Sequence, residues 1–183
     1  ILWRWLYSSD FGLLNYYLAQ MGGFFHSFAP SVFSGKWEIG WLRDTATAMP
    51  AIALLSVWWG AGGNMLIYLA GLKNVPKELL EAAEIDGATS WQRFWNVTIP
   101  LIRPTMLFCL VMSVIGSSQV FGQTYILTGG GPYYSTLTVI LYMYQQGFGL
   151  YQLGYAAAVG YVLFAAVLVF TILQFKLLSF KKM

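Results

Sequence analysis

The sequence predicts an all-α membrane protein, and three observations predict it. Of its 183 residues, 58% are hydrophobic and only 9% charged, against about 25% charged in an ordinary soluble domain. Two long stretches, 45–72 and 104–175, contain no Asp, Glu, Lys or Arg. Aromatic residues make up 18% of the chain, and Trp and Tyr favour the two membrane–water boundaries. So little charge leaves little to solvate a surface, and lipid is the expected solvent. The net charge of +3 is small and dispersed, which argues against a nucleic-acid partner. Cys109 is the single cysteine and sits in an apolar run, so it reads as a small hydrophobe and no internal disulfide can form.

Taken in order, residues 1–45 mix aromatics with Gly, Ser and Asn and read as an external segment of short helices. The opening Ile1-Leu2-Trp3 reads as the tail of an earlier apolar segment rather than a leader peptide. The chain is therefore expected to be the C-terminal part of a longer protein. His26 is the only histidine and reads as structural; no metal site is expected. Three runs then reach spanning length, at 48–71, 105–127 and 156–178. A crossing needs roughly 20 apolar residues at about 1.5 Å each. Backbone polar groups in lipid must bond within the segment, so each run should be a helix. Gly60, Gly62 and Gly63 lie in the first and Gly116 in the second; in lipid such residues more often mark close helix contact than a break. Leu137–Tyr144 is too short to cross and suits an interfacial or tucked-in helix.

Basic residues set the sidedness. The 73–104 loop holds Lys73, Lys77, Arg93 and Arg103, and the tail holds Lys176, Lys181 and Lys182, whereas 128–155 holds none. The loop and the C-terminus are therefore expected in the cytoplasm, with 1–45 and 128–155 outside. Arg4, Lys36 and Arg43 in the opening segment run against this assignment. Asn96-Val97-Thr98 has the form of a glycosylation acceptor but falls on the expected cytoplasmic side.

The 73–104 loop is the most informative part. Pro76 suits a first helical turn, where its missing N–H costs nothing. Glu78 and Glu81 near that start favour the helix dipole. Gly87 suits the left-handed position that ends a helix. Thr89-Ser90-Trp91-Gln92 fits a capping box, opening a second short helix that should end before Pro100. Leu79, Leu80, Ala83, Trp91, Phe94 and Trp95 give this elbow an apolar ridge with a charged rim. Such a ridge suits a docking surface, and equally an amphipathic helix lying on the membrane.

Glu81-Ala82-Ala83, three residues, Gly87, nine residues, then Val97-Thr98-Ile99-Pro100 resembles the signature loop of ABC-importer permeases: EAA, a spaced Gly, then I-x-L-P. Val97 and Ile99 are conservative departures from that pattern. Glu84-Ile85-Asp86-Gly87-Ala88, Pro100-Leu101-Ile102-Arg103-Pro104 and Thr128-Gly129-Gly130-Gly131-Pro132 extend the resemblance to the carbohydrate branch, in particular its maltose- and glycerol-phosphate-type first permease. Such relatives have at least six spans, so the chain resembles part of a six-span permease domain.

The resemblance implies a bacterial or archaeal inner-membrane subunit importing sugars or polyols. Its partners would be two ATP-binding subunits, a second permease and an extracytoplasmic sugar-binding protein. The loop would be a coupling helix seated on the ATPase, with Glu81 as the charged contact, Ala82 and Ala83 allowing close seating and Gly87 as the turn. Asp86, Ala88 and Pro100 complete the motif. The chain has no G-x-x-x-x-G-K-[ST] phosphate loop, so hydrolysis is expected on a partner, with no catalytic residue and no cofactor here. The second span has a polar middle: Ser113, Ser117, Ser118, Gln119, Gln123 and Thr124. Polar groups in a membrane face a bundle interior or a wet cavity. By resemblance, Ser113, Ser117 and Val120 would line a sugar path, opposed by Trp59, Gly60 and Gly63. The same groups also suit helix-to-helix bonding. A permease for peptides or amino acids, and a membrane scaffold without transport, remain open readings of the residues.

Overall fold

The computed structural model describes residues 2–26 and 39–178, and for 22–26 and 177–178 the backbone only. The expectations for Lys36, Lys181 and Lys182, and for the His26 side chain, fall outside what is described. Every regular element among the described residues is helical: α1 (Leu2–Leu6), α2 (Leu13–His26), α3 (Thr45–Lys73), α4 (Lys77–Ile85), α5 (Ser90–Arg93), α6 (Ile99–Ser118), α7 (Gly122–Leu127), α8 (Val139–Tyr144) and α9 (Leu153–Leu178). Wider π turns follow α5 at Phe94–Thr98 and α8 at Gln145–Gly149. Three helical stretches are long and apolar enough to cross a membrane: Thr45–Lys73, Ser90–Leu127 and Leu153–Lys176.

The chain forms two compact units. The first comprises 1–58 and 120–156. Ile52 and Leu55 from α3 pack on Leu127, with Trp3 and Leu42 against them. The Tyr7 hydroxyl donates to the Ala51 carbonyl at 2.7 Å, and burial pushes its phenol pKa up. Asn15 is tied down from both ends: its amide donates to the Ile39 carbonyl at 2.9 Å, and its carbonyl accepts from the Trp41 indole at 2.8 Å. A threonine network organises the loop after α7. Thr136 donates to the Gly131 carbonyl and bonds Thr128, both at 2.7 Å. The Thr128 hydroxyl also lies 2.9 Å from the Thr124 carbonyl, so the two hydroxyl protons are shared among three contacts. The α8 helix fits the short element expected over Leu137–Tyr144, and its Leu141 is fully buried.

The second unit comprises 59–119 and 157–183. Gly60, Gly62, Gly63 and Gly116 all lie inside unbroken helix. Among the described residues no close helix contact forms at them: a Cβ would meet only the Asn64 amide, 4.0 Å away, at Gly60 and nothing within 4 Å at the other three. The close approach is instead at Gly71, where a Cβ would sit 2.8 Å from the Thr105 hydroxyl. That is where α3 and α6 come together.

Two local expectations are corrected. The short helix that begins at Ser90 does not stop before Pro100. Thr98 and Ile99 both keep helical angles and the chain runs on into α6. The π turn accounts for this: the Ile99 N–H reaches back to the Phe94 carbonyl. Bonds of that i→i+5 type relax the usual demand for an N–H at the proline. Residues 105–127, expected as one helix, are split at Gln119–Phe121. Ser117 and Ser118 both donate to the Val114 carbonyl, at 3.0 and 2.8 Å, competing with the backbone ladder. The Val120 carbonyl accepts from the Thr138 hydroxyl at 2.7 Å instead of from the next turn.

Candidate functional site

The elbow between α3 and α6 forms from purely local chemistry. Pro76 is the N-cap of α4, one position earlier than a first-turn placement, with extended angles φ −60° and ψ 130°. Glu78 follows in the first turn. At the other end Gly87 takes φ +79°, a conformation that L side chains resist. The turn brings the Gly87 N–H to the Glu84 carbonyl and the Ala88 N–H to the Ala83 carbonyl, each at 3.0 Å, so these two carbonyls in the last turn of α4 are satisfied. Thr89 then caps α5. Its N–H donates to the Gln92 amide oxygen at 2.8 Å, and its hydroxyl accepts from the Gln92 N–H at 3.4 Å. Both halves of the expected capping box are present.

Glu84 and Arg93 form an ion pair that ties α4 to α5. Sequence reasoning missed the pair; the only signal was two opposite charges on either side of the glycine turn. Arg93 also donates to the Ser90 hydroxyl at 3.4 Å. Around this frame Glu81, Ala82, Asp86 and Gly87 are exposed, while Ala83, Ala88 and Pro100 are half-buried. Apolar side chains stand out beside them: Ile85 is 87% exposed and Trp91 69% exposed. Trp91, Phe94 and Trp95 touch one another, with ring centroids 5.5 to 6.1 Å apart. Their i, i+3, i+4 spacing puts all three rings on one helix face. What the elbow offers is thus a rigid, short, apolar-and-acidic projection with small residues at its apex.

The residues expected along a substrate path are distributed as follows. Trp59 and Gly63 on α3 are exposed and Gly60 is half-buried. Ser113 and Ser117 on α6 are exposed, and among the described residues no hydrogen bond joins either serine to α3. Ser117 is turned back on its own helix. In the other unit, Val120 is half-buried with its carbonyl taken by Thr138. Thr124, counted in the polar middle, is fully buried; its hydroxyl donates to the Phe121 carbonyl at 2.9 Å. That group is structural. Among the described residues, no cluster of His, Cys, Asp or Glu side chains has the makings of a metal site.

Comparison with known proteins gives this geometry a setting. Residues 9–179 match the family described as "Binding-protein-dependent transport system inner membrane component". The chain is 37% identical over 182 residues to the probable ABC transporter permease protein YesP of Bacillus subtilis, covering 98% of this chain and 54% of that protein. It is 44% identical over 140 residues to the lactose transport system permease protein LacF of Rhizobium radiobacter, covering 75% of this chain and 47% of that one. It is 33% identical over 180 residues to the trehalose/maltose transport system permease protein MalF of Thermococcus litoralis, covering 98% and 56%. The chain spans about half the length of the curated relatives it matches. With three apolar helices of spanning length and a family match over nearly its whole length, it is a multi-pass membrane protein and belongs to the inner-membrane components of binding-protein-dependent transport systems.

Proposed function

We propose that the chain works as part of a permease subunit in an ATP-driven importer of sugars or related polyols. The observation that carries this reading is the elbow at 76–98. It has an exposed acidic face, an apolar ridge and a locked glycine turn, and it lies between two helices of spanning length. In this reading Glu81 contacts a cleft on a separate ATP-binding subunit, Ala82 and Ala83 allow close seating, and Asp86, Gly87 and Ala88 set the turn. Pro100 then starts the span that carries the motion. Two ATP-binding subunits, a second permease and an extracytoplasmic sugar-binding protein complete the assembly. The elbow and the C-terminus face the cytoplasm, as the basic residues suggest. Closure of the ATPases would push the elbow and turn the path outward; hydrolysis on the partner would reset it.

Substrate chemistry is inferred from two sources. Relatives carry names for lactose and trehalose/maltose transport, and the charge-free stretches 45–72 and 104–175 offer hydroxyls and aromatic rings. We assign Trp59, Gly60, Gly63, Ser113, Ser117 and Val120 to the sugar path. The docking half is tested with Glu81→Lys in the full-length protein. ATPase copurification should fall about tenfold with helix content unchanged, and normal copurification would remove the docking assignment. The path is tested by uptake kinetics with sugars, peptides and amino acids. Ser113→Ala with Ser117→Ala should raise KM for a sugar without loss of assembly; unchanged kinetics would take those residues out of the path.

A further inference from the structure

We propose that a cavity at the Thr45 end of α3 is a headgroup site for a zwitterionic, amine-bearing membrane phospholipid, with Arg4 and Arg43 taking the phosphodiester and Asp10 the amine.

The cavity measures about 490 Å³ and lies wholly within the first compact unit. Arg4, Ser8, Ser9, Arg43, Leu127 and Thr128 are among its walls, so the opening segment and the Thr128–Pro132 turn build it together. Its depth follows from the helices beside it. Arg43 stands just before the first turn of α3, and Leu127 is the last residue of the apolar stretch Ser90–Leu127. The Thr45 end of α3 therefore meets the edge of the hydrocarbon here, the level at which phosphodiesters lie. An aromatic pair stands beside this end of α3, as such pairs do at membrane boundaries: Tyr7 packs on Trp41 at 5.9 Å.

Within the cavity the donors sort themselves. The Tyr7 hydroxyl is committed to the Ala51 carbonyl, and the Thr128 hydroxyl to Thr124 and Thr136. Arg4 has no carboxylate partner among the described residues. Arg43 has only a loose one, Asp10 at 3.7 Å, with both side chains largely exposed. Two guanidinium groups with donors to spare suit a phosphate. The acids at the rim decide which phosphate. Asp10 accepts from the Ser9 hydroxyl at 3.4 Å as well as pairing with Arg43, and the Asp44 carboxylate packs against Gly40 in the cavity wall. These carboxylates repel a purely anionic headgroup and offer a place to an ammonium. Leu42 and Leu127 supply the apolar floor for the glycerol end.

The test uses the full-length protein in its native assembly, purified in detergent and titrated with phosphatidylethanolamine, phosphatidylglycerol or inorganic phosphate, with bound lipid counted by native mass spectrometry. Phosphatidylethanolamine should be retained over phosphatidylglycerol. Arg4→Gln with Arg43→Gln should reduce retention by about tenfold for each lost arginine, while Lys73→Gln at the far end of α3 leaves it unchanged. Asp10→Asn should shift the preference toward phosphatidylglycerol. Equal retention by the double variant would overturn the site. Displacement of the lipid by millimolar inorganic phosphate would make it a free-phosphate site. Arginine-dependent displacement by an acidic protein partner would make it a protein contact. If the double variant does not assemble, a lipid preference unmoved by Asp10→Asn overturns the assignment by itself.

Discussion

Gly87 holds φ at +79° with nothing within 4 Å of where a Cβ would stand. The demand there is conformational and not steric. Gly87→Val should therefore destabilise the elbow by about 1–2 kcal/mol, and Gly87→Asn by less, since Asn tolerates the left-handed region. Hydrogen exchange over 77–93 in the two variants checks this ranking; equal protection would mean that the turn relaxes without strain. Gly71 makes the opposite demand. Its helix angles suit any residue, but a Cβ would sit 2.8 Å from the Thr105 hydroxyl and 2.9 Å from its methyl. Gly71→Val should wedge α3 from α6 and lower the unfolding temperature, and Thr105→Ala should restore part of the loss. Absence of any rescue would place the damage elsewhere. Thr136 is fully buried and bonds both Gly131 and Thr128. Thr136→Val removes the donor to the half-buried Gly131 carbonyl and should cost about 1 kcal/mol in thermal unfolding.

Among the helical elements, α4 and α5 are too short to persist alone. Three local devices hold them: the glycine turn, the capping box and the Glu84–Arg93 pair. Their weights differ. Thr89→Ala should cost about 1 kcal/mol through the lost cap. The ion pair is weaker because Glu84 is two-thirds exposed, 66% against 24% for Arg93. A double-mutant cycle on Glu84→Gln and Arg93→Gln should return a coupling below about 1 kcal/mol, read from hydrogen exchange over the same segment; a larger value would make the pair the principal lock. The cap and the turn could be read in advance because each is a rule about neighbours within a few residues. The continuation through Pro100 could not, because a π turn depends on how the next helix is anchored and carries no composition of its own.

For the whole molecule, the spanning stretches follow from one constraint, that lipid accepts only long apolar segments with internally bonded backbones. Their sidedness is testable because Cys109 is buried, 2% exposed, and stays silent to membrane-impermeant thiol reagents. Asn96→Cys should label only from the cytoplasmic side and Tyr134→Cys only from the outside; the reverse pattern would invert the orientation and remove the docking proposal with it. The α9 helix supports the lipid-facing reading. Its best-covered residue among those described is Ala156, 9% exposed, while Tyr161, Val162 and Phe164 are each more than three-fifths exposed. Among the described residues nothing covers this surface, and a bilayer or neighbouring helices would supply that cover.

Hydropathy and local spacing were enough to establish that the protein is helical and crosses a membrane, and to place a glycine-hinged elbow at 76–98. Lipid selects on apolar length, and turns select on adjacent residues, so both are written in short windows of the chain. The break at Gln119–Phe121, the threonine network around Gly131 and the meeting of Gly71 with Thr105 were not. The break and the Gly71–Thr105 meeting depend on groups far apart in sequence, and the threonine network on a loop path that no local rule dictates: the hydroxyl that takes the Val120 carbonyl comes from 18 residues downstream. A carbonyl released from its helix is stable only where the fold brings such a donor within reach, and no pattern near Val120 announces that it will.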